Sequence, residues 1–264
     1  MFEGFVLGAI QGITEWLPIS SEGALVLAEQ ALGIGGGISG MISLALFLHL
    51  GTFFAALIYF WSDVVSLLKT LFNFQKSDEE TRRLLIFLII ATFISGFLGS
   101  LLLFGILREF EDIASISGKT ITLLIGVFLL ITAFIQLRSR ELGVKDVSSI
   151  EKKDSVLLGF AQGLSVLPGV SRSGITVASL LLMGFTKQSA LRISFLLSLP
   201  IVLGGNIALG FSDAIITNQA LWGLLFSFLF GLVTIKALFI FAEKINFGWF
   251  VFAFGALTIL STYL

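Results

Sequence analysis

Six stretches of this chain, at about 41–61, 84–106, 119–137, 190–210, 218–241 and 247–264, each carry at most one charged residue. About 20 apolar residues is the length an α-helix needs to cross the hydrocarbon core of a bilayer. Lipid offers no hydrogen bonds, so a spanning segment must satisfy its own backbone, which leaves helices and closed barrels. Uniform apolar runs of this length predict helices. The fold class is therefore all-α: a polytopic, multi-pass integral protein of the cell membrane. Composition agrees, with 56% hydrophobic residues, 12% charged residues and a mean hydropathy of +1.04. The lack of cysteine excludes disulfides and thiolate metal sites, and the single histidine excludes multi-histidine metal sites. Met1 to Trp16 has no basic start and carries Glu3 and Glu15, so no cleavable signal peptide is expected. Membrane lipids are the expected surroundings, and no nucleic acid is expected as a partner.

Two shorter stretches break the pattern. Residues 2–17 are apolar but too short to span, and Pro18 interrupts them. Ser20 and Ser21 can cap a second helix over about 22–33, closed by Gly33 and the glycines at 35–37. A similar stretch occupies about 155–185, around Pro168. Two short helices meeting at a proline break predict a re-entrant hairpin. Non-helical backbone is tolerated at that depth only where protein or a wet cavity surrounds it.

The two breaks read alike. Residues 11–23 are Q-G-I-T-E-W-L-P-I-S-S-E-G, and residues 162–176 are Q-G-L-S-V-L-P-G-V-S-R-S-G-I-T. Gln11 pairs with Gln162 and Gly23 with Gly174, with one residue shifted to bring Pro18 onto Pro168. Each is preceded by a G-x-x-x-G spacing, Gly8/Gly12 and Gly159/Gly163, which permits close helix approach in membranes.

The chain thus reads as one membrane domain, residues 1–264. Repeat one covers about 1–137, repeat two about 155–264, and the hydrophilic linker 138–154 joins them. Lys69, Lys76, Arg82 and Arg83 mark loop 62–82, which also holds a short amphipathic piece near Val64–Phe74. Arg138, Arg140, Lys145, Lys152 and Lys153 mark the linker, whereas the acidic connection between the second and third spans has only Arg108 and Lys119. The positive-inside rule puts loop 62–82 and the linker in the cytoplasm. Both termini are then extracytoplasmic, and the two hairpins enter from opposite faces. That is an inverted-topology repeat of about six spanning helices and two re-entrant hairpins, with its site at the repeat interface.

The chemistry sits in the breaks. A charge at the bilayer centre costs about 2.5–3.5 kcal/mol on insertion scales, so Arg172 needs a partner. A phosphate suits Ser171, Arg172, Ser173 and Thr176 together. Serine starts a half-helix after each break, and the free N–H groups there attract anions. Arg172 can grip phosphate oxygens in bidentate fashion. Arg172 and Thr176 lie one turn apart on a common face, as do Gln11 and Glu15. Glu15 is a buried carboxylate suited to act as a general base or to ligate a divalent cation, Mg2+ or Ca2+. Glu22, beside Ser20 and Ser21, is a second such carboxylate.

At these residues the sequence strongly resembles the undecaprenyl-diphosphatase family of bacitracin-resistance phosphatases, which recycle a polyprenyl carrier lipid for cell-envelope glycans. The resemblance rests on E-W-L-P-I-S-S-E-G at 15–23, L-P-G-V-S-R-S-G-I-T at 167–176, L-H-L-G-T at 48–52 and the arrangement of spans, so it covers most of the chain. It implies a phosphatase acting on a polyprenyl diphosphate, with Glu15, Ser21, Ser171 and Arg172 in catalytic roles. Ser20, Ser173 and Thr176 take family positions in the substrate-binding set. On their own chemistry and placement Gln11, Glu22, His49 and Gly169 join that set, and Glu15 and Glu22 are the candidate metal ligands. A homodimer is compatible with it. The chain departs from the family pattern twice. Gln11 stands where a glutamate is usual, and Ala24 where a histidine is usual. Glu22 and His49 are the substitutes at hand.

Plainer readings stand beside these. Arg172 can tie a hairpin together through backbone carbonyls, and Glu15 can be its structural partner. Glu22 can merely complement a helix dipole, and Ser20 can be only a cap. His49, on an apolar span, reads first as a packed, hydrogen-bonded side chain. A transporter or flippase of polyprenyl phosphate is the alternative function, because broken helices in inverted repeats recur in transporters.

Overall fold

The computed structural model describes residues 1–17, 19–33, 37–112, 118–138, 144–167, 170–208, 217–242, 244 and 246–261. The described chain is helical, and its one backbone bridge, Lys145 with Phe185, belongs to no strand. Pro18, Pro168, Gly169, Gly35 and Arg140 lie outside the described residues.

The first half contains α1 (Phe2–Thr14), α2 (Ser21–Ala31), α3 (Gly37–Tyr59), α4 (Trp61–Phe72), α5 (Glu79–Asp112) and α6 (Gly118–Arg138). The second contains α7 (Lys152–Gly163), α8 (Arg172–Leu182), α9 (Lys187–Ala208), α10 (Asn218–Phe241) and α11 (Phe247–Ser261). Both predicted short-helix pairs are present. α1 and α2 flank the first break, and α7 and α8 the second.

The two pairs end in the same way. Ser20 Oγ accepts from the Gly23 amide at the start of α2, and Ser171 Oγ accepts from the Gly174 amide at the start of α8. Each closes at a glycine in the left-handed region, Gly33 (φ 66°) and Gly184 (φ 88°), where a side chain would be strained. One interval in the chain separates Gln11 from Gln162, Ser20 from Ser171, Gly23 from Gly174 and Gly33 from Gly184. The Leu-Pro pairs, Leu17–Pro18 and Leu167–Pro168, are out of step by one residue.

Packing repeats this correspondence. α1 lies along α10, and α7 lies along α5, so the first short helix of each half packs on a long helix of the other. α3 meets α9, and α6 meets α11. Glycine makes the first contact close. A side chain on Gly12 would stand 2.7 Å from the Ser227 carbonyl oxygen and 2.8 Å from the Gly231 amide of α10. Gly159 and Gly163 face Ile94 and Leu98 of α5 in the same manner. Lipid tails are as apolar as leucine, so close backbone contact rather than water exclusion holds such helices together. Gly12→Val is therefore expected to destabilise the detergent-solubilised protein by about 1–3 kcal/mol, the usual penalty of overpacking. A thermal unfolding scan checks this.

Three described segments are long and apolar enough to cross a membrane: Glu79–Gly105, Lys187–Ile207 and Asn218–Ile240. A fourth candidate joins Ser43–Tyr59 to Trp61–Phe72 through an 82° bend. α4 is the amphipathic piece expected in loop 62–82. It exposes Trp61, Leu68, Leu71 and Phe72, as a helix lying in the membrane interface would. α5 runs well beyond the expected 84–106 at both ends, and its backbone takes in the acidic residues expected as a connection. Phe93, Phe97, Leu101 and Phe104 of α5 project outward, a face suited to lipid.

The two basic loops touch. Arg83 Nη1 donates to the Ser148 carbonyl at 3.3 Å, and Lys145 pairs with Asp154 at 3.6 Å. Arg192 of α9 pairs with Asp63 of α4. Loop 62–82, the linker and the start of α9 thus share one end of the molecule.

Candidate active site

The two breaks meet. Glu15 caps the C-terminal end of α1 and is 5% exposed. Its Oε2 accepts from Gln11 Nε2 at 3.0 Å and from Ser21 Oγ at 2.9 Å, and lies 3.1 Å from His49 Nε2. Its Oε1 accepts from Arg172 Nη2 of the other half. Ser173 Oγ donates to the Leu17 carbonyl at 2.7 Å, a second bond between the breaks. α1, α2, α3 and α8 therefore converge on one carboxylate.

Local sequence explains each placement. Gln11 reaches Glu15 because residues four apart share a helix face. Ser21 opens α2, so its hydroxyl projects from a helix start toward the end of α1. Arg172 is the first residue of α8, with its side chain 12% exposed. Nη1 of Arg172 and Oε1 of Gln11 are buried and have no partner among the described residues. An unpaired buried polar atom is costly; Nη1 is a donor that an acceptor would satisfy, and Gln11 Oε1 an acceptor that a donor would satisfy.

The three serines named as nucleophile or cap separate cleanly. Ser20 and Ser171 spend their oxygens on the amides of Gly23 and Gly174. The Ser171 hydroxyl lies 3.2 Å from Ser173 Oγ, whose own hydrogen goes to Leu17. Only Ser21 among them hydrogen-bonds a carboxylate. Thr176 is fully buried, with Oγ1 donating to the Arg172 carbonyl at 2.7 Å and paired with Ser194 of α9 at 2.6 Å. It braces the turn that carries Arg172. Glu22 is exposed beside the cluster, within electrostatic range of both Glu15 and His49. Ala24 is buried in α2 and supplies no polar group.

Metal binding has little room at Glu15, because four donors already occupy its carboxylate. Among the described residues, no group of three or more His, Asp or Glu side chains could hold a metal ion. Glu22 is the more exposed of the two carboxylates.

Sequence reasoning brought Gln11, Glu15, Ser21, Arg172 and Ser173 to one place. The sequence offered His49 both as a member of the substrate-binding set and, more plainly, as a packed, hydrogen-bonded side chain, and the structure shows contacts of both kinds. The packing bond exists, from Nδ1 to the Ala45 carbonyl at 2.6 Å, but the other ring nitrogen reaches Glu15. Gln136 of α6 was not singled out at all. A side chain on Gly174 would stand 2.7 Å from its amide nitrogen, and both polar atoms of that amide are buried without a described partner. A lone polar side chain near the end of a span was the available signal.

The profile of the bacitracin resistance protein BacA family matches residues 4–260. The chain belongs to this family. Among its relatives, a protein named undecaprenyl-diphosphatase from Methanococcoides burtonii is 38% identical, the match covering 99% of this chain and 98% of that protein. A protein of the same name from Methanothrix thermoacetophila is also 38% identical, covering 98% and 96%. One from Halothermothrix orenii is 37% identical, covering 90% and 88%. Similarity over nearly the full length of both partners places the two breaks and the long helices within the shared region.

Proposed function

We propose that this chain is a membrane phosphatase that hydrolyses an undecaprenyl-type polyprenyl diphosphate to the monophosphate and inorganic phosphate. Its role is then to recycle the carrier lipid for cell-envelope glycan synthesis. The observation that carries the reading is the buried Nη1 of Arg172, without a partner among the described residues and set at a helix start beside a second helix start in a chain made for lipid. A phosphate oxygen supplies the missing acceptor. The name shared by full-length relatives supports the same substrate.

In this reading Arg172 and the first amides of α2 and α8 hold the phosphates and stabilise charge in a loose, in-line transition state. Glu15 holds Arg172, Ser21 and Gln11 in register. Ser21, or a water that it positions, is the attacking group, because its hydroxyl already donates to a carboxylate. Ser20, Ser171, Ser173 and Thr176 build the helix starts that present those amides. Glu22 would hold a divalent cation, Mg2+ or Ca2+, which would supply neutralisation of the diphosphate charge. Purified protein supplied with a long-chain polyprenyl diphosphate is expected to release phosphate. A folded preparation that moves the lipid across vesicles without releasing phosphate is a transporter instead.

The matching caps and exchanged helix partners support two repeats of opposite topology, with both termini extracytoplasmic. The contact between the basic loops supports a common cytoplasmic side for them. In a chain without cysteine, Ser77→Cys and Ser148→Cys are expected to stay unlabelled by an impermeant reagent added to intact cells. Strong labelling of both reverses the orientation. A homodimer, read by light scattering in detergent, is part of the same proposal.

A further inference from the structure

We infer that His49 is the acid–base residue of this site, delivered by the α3 span and sharing its proton with Glu15. The inference rests on the phosphatase reading above and adds a residue and a proton to it.

His49 Nδ1 lies 2.6 Å from the Ala45 carbonyl oxygen. A carbonyl only accepts, so Nδ1 carries a hydrogen. Nε2 lies 3.1 Å from Glu15 Oε2, and a proton must stand between these two atoms for them to bond. Nδ1 is already protonated, so the pair holds one proton more than a neutral imidazole beside a carboxylate. That proton stays with the pair wherever along the bond it resides. The Ala45 carbonyl also fixes the ring, which keeps Nε2 aimed at the site.

The surroundings suit a group that gives a proton and takes one back. The charged groups facing His49 are Glu15 from α1 and Glu22 from α2, and Arg172 of α8 reaches the same carboxylate from beyond. Ser21 donates to the very oxygen, Oε2, that Nε2 approaches. The attacking group and the acid thus meet at one atom. Position 24, where the resemblance leads one to expect a histidine on α2, holds alanine, and the imidazole comes from α3 instead.

The step balances. The attacking oxygen forms a bond to the terminal phosphorus as the bridging P–O bond breaks. The electron pair stays on the bridging oxygen, which leaves with the polyprenyl monophosphate and takes the shared proton from Nε2. The proton displaced from the attacking O–H enters the pair at Glu15, so the pair regains what it gave. Where the attacking oxygen is Ser21 Oγ, a water then attacks the phosphoserine and its proton enters the pair. Ser21 Oγ leaves with the proton the pair returns as inorganic phosphate is released. General acid–base help of this kind contributes about 100- to 10,000-fold.

His49 is the only histidine, so isotope-labelled histidine in the full-length, detergent-solubilised protein reports on this ring alone. Two protonated ring nitrogens, or one with its hydrogen shared toward Glu15, are expected near neutral pH. The Glu15→Gln variant is expected to lose the extra proton. His49→Gln keeps a donor near Glu15 but cannot ionise. It is expected to lower kcat about 100-fold or more with KM within about threefold, and to remove the alkaline fall of the kcat profile, where the acid is deprotonated. A merely structural His49 leaves that profile in place. Wild-type kcat and an unchanged pH profile in His49→Gln overturn the assignment, as does a ring with one bare nitrogen in the wild type. A wild-type protein that releases no phosphate overturns the phosphatase reading and the catalytic role with it. The proton count in the labelled ring tests the shared proton independently of turnover.

Discussion

Arg172→Ala is expected to lower kcat/KM for a long-chain polyprenyl diphosphate by about 100- to 1,000-fold, the loss seen when one preorganised donor to a developing anion is removed. The guanidinium joins the two halves of the molecule at Glu15 through Nη2 and leaves Nη1 buried and without a partner among the described residues. One end is thus anchored while the other waits for an acceptor. Arg172→Lys retains the charge but not the planar fork, so it cannot hold Glu15 and a phosphate oxygen at once. Its activity is expected to fall nearly as far. Folding survives either change, because Glu15 keeps Gln11, Ser21 and His49 as partners. Phosphate release and gel filtration on the purified variants check both halves of the expectation. Near-wild-type turnover in Arg172→Ala moves the phosphate clamp elsewhere.

Glu15→Gln is expected to abolish turnover by a different route. The substitution keeps the shape of the side chain and removes the one anion among four donors. Arg172 is then left without a counter-charge, and breaking a buried pair in this way costs about 3–5 kcal/mol of stability. An added anion restores the balance. Inorganic phosphate is therefore expected to raise the unfolding midpoint of Glu15→Gln more than that of the wild type, by ordinary linkage between binding and folding. Lipid binding should persist or tighten, since Arg172 has lost its internal competitor, while kcat collapses. The double variant Glu15→Gln with Arg172→Ala is expected to be no slower than the worse single variant, because the two side chains act as a unit. Strict additivity in kcat/KM contradicts the shared site.

Much of this was legible without coordinates. The proline breaks, the serines after them and the G-x-x-x-G spacings are local signals, and local rules read them. Helix starts at Ser21 and Arg172 follow from cap chemistry, and the Gln11–Glu15 bond from helical spacing. The close approach at Gly12 follows from its missing side chain. The similarity of the two breaks announced that they belong together, and Ser173 and Arg172 do bond across to Leu17 and Glu15.

What the sequence by itself determined is the class of fold, the two short-helix pairs and the residues that gather at the breaks. Each depends on interactions within a few residues or on the demand of lipid for satisfied backbone. Only the tertiary structure decided which way His49 faces, which serine meets the carboxylate, and that Thr176 turns back to Ser194. The reason is physical. α3 is apolar on every side, so its pattern does not say which face meets α1 and which meets lipid. Ser20 and Ser21 differ by one position at a helix start, and the choice between cap and site is made by where the end of α1 lies. That position is set by glycine contacts with α10, more than two hundred residues along the chain.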